Sequence, residues 1–215
     1  MRGTTIALAT LLAAGGCTES NPLEPGSPIR AVSAVPAADH LGALSKSPLV
    51  TVADPSVVVG SSVLQRFPNG IRVRAATSAL QPGTATTFWV VVFNNPEHCT
   101  DGCDIPDVFA PEVQADALYT DGNFIATGSA RYGGAHALND VSNSIAAGLG
   151  IPPVGILDAM KAEFHIIVRS HGPIIPALGR DMITTWAGGC AGLPPELGPV
   201  GPNTCADVHV AVHQP

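Results

Sequence analysis

From residue 49 onward the chain is written in short apolar runs separated by turn residues. Residues 49–52 and 56–59 are strand-length segments divided by Asp54-Pro55, and residues 71–74 alternate apolar and polar after Asn69-Gly70. Gln81-Pro82-Gly83 is a turn signal ahead of the strongest run, residues 86–93, Thr-Thr-Phe-Trp-Val-Val-Val-Phe. Almost every side chain in that run is β-branched or aromatic, so it reads as a central strand buried on both faces. Residues 113–119 and 123–130 read as a hairpin around Thr120-Asp121-Gly122, because Asp-Gly between strand-like runs favours a tight turn. Residues 131–160 are irregular, with a helical turn at 145–149 closed by Pro152-Pro153. Strands are expected again at 162–170, 182–186 and 207–213.

Short strands punctuated by Gly and Pro, without helix–strand alternation, predict an all-β fold. The expected architecture is an antiparallel, Greek-key-like β-sandwich of about eight or nine strands with long Gly/Pro-rich loops, over residues 49–215. Composition agrees: 23 Gly, 20 Pro and only 13% charged residues favour many turns over long solvated helices.

Upstream the texture differs. Met1-Arg2-Gly3 carries one positive charge, an apolar run fills residues 4–14, and Ala14-Gly15-Gly16 stands before Cys17. These are the marks of a secretory signal peptide over residues 1–16. The apolar run is well short of the roughly 20 residues that span a bilayer. Small residues directly before a cysteine resemble the lipobox of bacterial lipoproteins, although Ala14 stands where leucine is usual; the resemblance implies lipidation at Cys17. Ordinary cleavage with release of a soluble protein is the alternative. Residues 17–48, broken by Pro22, Pro25, Pro28, Pro36 and Pro48, read as a flexible tether reaching on the order of 30 Å. The expected address is the cell envelope, as an outer-membrane or surface lipoprotein, or otherwise secretion. The expected partners are the membrane, through the N-terminal lipid, and a protein or glycan of the envelope. A formal net charge of -7 gives no electrostatic footprint for nucleic acid.

The five cysteines fit that address. With Cys17 set aside, Cys99, Cys103, Cys190 and Cys205 remain, and proximity favours the disulfides Cys99–Cys103 and Cys190–Cys205. A metal site from His98, Cys99 and Cys103 is the rival reading of the first pair.

Candidate chemistry concentrates in two strands. In residues 163–171, Glu163, His165, Ile167, Arg169 and His171 fall on one face and Phe164, Ile166 and Val168 on the other; in residues 207–213, Asp207, His209, Ala211 and His213 oppose three valines. The histidine faces are expected to point outward. Were the strands neighbours, His165, His171, His209 and His213 would form a candidate zinc or copper site through cross-strand pairs such as His165 with His209. A plain solvated face is the simpler account, and nothing in the sequence requires a cofactor. The acids Asp101, Asp104 and Asp107 lack EF-hand spacing. No G-x-S-x-G is present, and Ser129 in Gly128-Ser129-Ala130 lacks the nucleophile-elbow context.

Around Trp89-Val90-Val91-Val92-Phe93-Asn94-Asn95-Pro96-Glu97 and from Ala162-Glu163-Phe164-His165 to His171-Gly172-Pro173, the chain resembles uncharacterised exported bacterial lipoproteins. Over one strand and a histidine-bearing turn it also resembles the CHRD β-domain, without that module's paired histidine motif. The resemblance implies a β-rich fold and no particular activity. The expected function is thus a non-enzymatic binding or structural module. A metal-binding protein and a hydrolase with a loop-built site are the alternatives.

Overall fold

The computed structural model describes residues 42–215. The expected signal peptide, Cys17 and most of the expected tether lie outside the described residues. Eight antiparallel strands follow in chain order: β1 (Leu44–Thr51), β2 (Val58–Phe67), β3 (Gly70–Thr77), β4 (Thr84–Phe93), β5 (Ala115–Phe124), β6 (Ala130–Ala137), β7 (Glu163–Pro173) and β8 (Ala206–His213). They form one continuous sheet in the order β5-β4-β7-β8-β1-β2-β3-β6.

The fold is therefore all-β and antiparallel as expected, but it is one curled sheet and not two stacked ones. Its end strands come together to make a nearly closed barrel. Side chains bridge the seam. Asp121 Oδ2 accepts from the Gly133 N–H at 3.1 Å, Asn123 Nδ2 donates to the Arg131 carbonyl at 3.1 Å, and Thr120 Oγ1 lies 2.8 Å from His136 Nε2. Alternation along a strand marks its two faces but not what lies opposite, so it does not separate a sandwich from a barrel.

The barrel interior is filled by Leu49, Leu64, Val73, Phe88, Val90, Val92, Leu118, Phe164, Ile166 and Val168, with Tyr132 stacked on Phe88 at a centroid distance of 4.9 Å. Strand β4 is buried along its whole length, as its composition predicts. Its second face meets an outer layer of loops and short turns, residues 96–111, 144–149 and 176–203, which cover the outside of β5, β4 and β7. Val91, Phe93, Val113, Ala115 and Ala117 form a separate core beneath part of that layer.

Four expectations differ. Asp121-Gly122 is not a turn, because β5 runs straight through it with a bulge opposite Phe88/Trp89. Gly122 instead admits the backbone of the outer layer: a Cβ there would lie 1.9 Å from the Ile183 carbonyl oxygen. Residues 182–186 are not a strand. They follow the single-turn helix α1 (Gly179–Met182), and the Thr184 and Thr185 hydroxyls donate back to the Arg180 and Asp181 carbonyls, which holds a turn in place of a ladder. Strand β6 lies inside the region read as irregular, and β1 begins at Leu44, ahead of the expected boundary at residue 49.

Candidate functional site: an apolar groove on the outer wall

The four candidate metal histidines do not converge. His209 and His213 point into the barrel, 3% and 2% exposed, which reverses the expected orientation of β8. The register explains it: Val168 pairs with His209 and Phe164 with His213, so both imidazoles share the core-facing side of the sheet. Hydroxyls already inside the barrel satisfy them. His209 Nδ1 lies 3.0 Å from Thr77 Oγ1, and His213 lies 2.9 Å from Ser45 Oγ and 3.0 Å from Ser62 Oγ. A polar/apolar pattern counts histidine as an outward residue; paired with hydroxyls it is an interior one. The cross-strand partner of His165 is Val212, not His209.

The buried guanidinium of Arg66 reinforces this interior cluster. It donates to Ser45 Oγ at 3.2 Å and to the carbonyls of Ala162, His213 and Gln214, and it lies 5.3 Å from the Phe164 ring centroid. Burial and the nearby Arg66 charge lower the His213 pKa to about 4.

His171 faces the other way, wholly buried under the outer layer. Its Nδ1 lies 2.8 Å from the Gly188 carbonyl, which can only accept, so Nδ1 carries the proton and Nε2 takes the Thr87 hydroxyl proton at 2.8 Å. Thr87 in turn accepts from the Trp89 indole N–H at 2.7 Å. This neutral relay ties β4 and β7 to the covering loop, and burial lowers the His171 pKa to about 4. Among the described residues the one cluster with metal-ligand spacing is His171, Cys190 and Cys205, but its two cysteines are bonded to each other. The expected disulfides Cys99–Cys103 and Cys190–Cys205 are both present, each fastening a loop of the outer layer. Of the loop acids, Asp107 is structural: it accepts the Thr100 and Asp104 backbone N–H groups. His98 and Ser129 are exposed.

His165 is the histidine that reaches a recess. Its Nε2 donates to Glu163 Oε1 at 2.7 Å, and its ring lies 4.8 Å from that of Phe93. Glu163 is itself buried, so the pair is held two residues apart on the outer face of β7. The imidazole borders a groove of about 170 Å³. Val91, Ala117 and Ile167 make the floor, Ile105, Val108 and Phe109 of the segment just after the first disulfide make one wall, and Trp186 and Asp207 stand opposite. Ile105 and Phe109 are 69% and 53% exposed, a large apolar presentation for a loop.

The far wall is braced. Arg169 donates to Asp207 Oδ1 at 2.7 Å and to the Trp186 carbonyl at 3.1 Å, and its guanidinium lies 4.2 Å from the Trp186 ring centroid. Trp186 also meets Trp89 edge-on at 5.0 Å. The groove's position is thus fixed by an ion pair, an aromatic cluster and a disulfide. A wider recess of about 520 Å³, near Phe67, His136 and Asp140, is shallower and more polar. The groove lining contains no Ser, Thr or Cys, and so offers no side-chain hydroxyl or thiol nucleophile.

Glu163 and His165 stand out in the sequence by their period-two spacing. Trp186, Ile105 and Phe109 do not, although two large apolar residues soon after Cys103, in a loop rich in aspartate, are an available signal. No protein-family model, curated protein or solved structure matches this chain.

Proposed function

We propose that this chain is an exported binding module, tethered to the envelope through a lipid on Cys17, that takes a small, largely apolar ligand in the groove of its outer wall. The observation that carries the reading is the combination of an apolar floor with rigidly braced walls and only a few polar groups, which is the usual composition of a small-molecule site. Export is supported by the leader pattern and by two disulfides, which persist in oxidising compartments.

Trp186 reports on the groove directly. Titration with hexanol is expected to shift its emission saturably, and Ile105→Ser is expected to weaken that binding while leaving the melting temperature unchanged, since Ile105 is mostly solvated. A flat titration that persists up to the solubility of hexanol refutes the groove as a ligand site. Metabolic labelling with a fatty-acid probe is expected to mark the chain and to miss the Cys17→Ser variant; equal labelling of both refutes the anchor.

A further inference from the structure

Resting on the groove as a ligand site, we infer that its ligand is a small organic cation, an amine joined to an apolar body of about six carbons. The size follows from the volume: a cavity of roughly 150 Å³ is known to hold benzene, and this groove measures about 170 Å³. The charge follows from the lining. Its ionisable side chains are Asp104, Asp207 and His165, and neither lysine nor arginine borders it.

Behind these stand Glu163, bonded to His165, and Arg169, bonded to Asp207. Three carboxylates, Glu163, Asp104 and Asp207, stand around the groove against the one guanidinium of Arg169. That guanidinium is already committed to Asp207, the Trp186 carbonyl and the Trp186 ring. Asp104 is the free member. Its backbone N–H is held by Asp107, which fixes its place at the rim, and its carboxylate makes no hydrogen bond among the described residues. A ligand carboxylate would meet like charge here; an ammonium would meet the carboxylates of Asp104 and Asp207 at the rim.

The test compares hexylamine, hexanol and hexanoate at pH 7.5 by Trp186 emission, using the whole mature chain and a Trp186→Phe control. Hexylamine is expected to bind about fivefold more tightly than hexanol, the scale of one partly solvated charge pair, with hexanoate weakest. Asp104→Asn, which leaves the fold contacts of that residue in place, is expected to shrink the amine–alcohol gap while hexanol affinity stays constant. Equal affinities for amine and alcohol, or preference for hexanoate, would overturn the cation inference and leave the groove reading intact. Failure of all three compounds to bind would overturn both. An amine preference undiminished by Asp104→Asn would overturn the role given to the rim carboxylates.

Discussion

The outside of the barrel has two halves built on opposite plans. Over β5, β4 and β7 a second layer of loops buries the outward side chains, so that Trp89 and Phe93 are as hidden as the interior. Over β8, β1 and β2 nothing among the described residues lies above the sheet. Ile167, Val210, Val50 and Val58 stand in register across four strands, and the row passes from the floor of the groove to a valine that is 62% exposed. The backbone ladder is the same in both halves. What differs is the loop chemistry: the covered half owns both disulfides, the His171 relay and the Arg169–Asp207 pair, whereas the bare half is joined by short turns. The groove lies at the edge of the covered half, where the second layer stops.

The largest expected effect is acid destabilisation, which draws on both plans. His171 locks the outer layer and His213 sits in the barrel interior, each with a pKa lowered by burial from 6.5 to about 4. The folded state therefore holds both neutral, while the unfolded chain takes up their protons below pH 6.5. Their contribution to stability is complete above pH 6.5 and is lost as pH falls toward 4. Between pH 7 and pH 5 the loss is on the order of 2 kcal/mol for each histidine, read as a fall in urea midpoint. His213→Gln, which keeps partners for Ser45 and Ser62, is expected to remove about half of that pH dependence. A urea midpoint that stays level from pH 7 to 5 would contradict neutral burial of both histidines.

Next in size are the disulfides of the outer layer. Cys190 and Cys205 lie 15 residues apart, and Cys99 and Cys103 lie 4 apart. Chain entropy makes the longer loop worth about 3 kcal/mol and the shorter about 2. Replacing Cys190 and Cys205 by alanine should also redden Trp186 emission, because the loop that places Trp186 is released. Replacing Cys99 and Cys103 should spare that signal and loosen the Ile105–Phe109 wall, seen as faster amide exchange there. If both double variants behave alike, the loops are not independent walls.

The legibility of the sequence follows the same division. Strands whose neighbours are other strands announce themselves: residues 86–93, 163–170 and 207–213 were readable because β-branched and aromatic runs fit a buried ladder. The paired cysteines were readable from spacing. What could not be read is what depends on tertiary approach. Asp121-Gly122 carries the composition of a turn, yet its glycine serves the passage of Ile183 across β5. Strand β6, with two adjacent glycines, hides its alternation because Gly134 must clear Thr120 at the seam, where a Cβ would lie 2.5 Å from the Thr120 methyl. The histidines of β8 were assigned to the wrong face because their partners, Thr77, Ser45 and Ser62, come from β3, β1 and β2, and no local pattern brings those together. The groove is likewise assembled from separate segments, and only Glu163 and His165 carried a local signature.

The smallest effects discriminate the two halves most directly. Val91 and Val58 are both outward-facing valines in β-strands, so their intrinsic strand preference is the same. Val91 is covered by the second layer, whereas Val58 stands in solvent. Truncation of Val91 to alanine removes two methyl groups from a packed environment and is expected to cost about 2 kcal/mol. Truncation of Val58 removes the same atoms from water and is expected to stay within about 0.5 kcal/mol. Paired urea titrations measure the difference without reference to any ligand. A Val58→Ala cost as large as that of Val91→Ala would mean that the outer face of β2 is buried in solution by something the single chain does not supply, and the bare half would then itself be a contact surface.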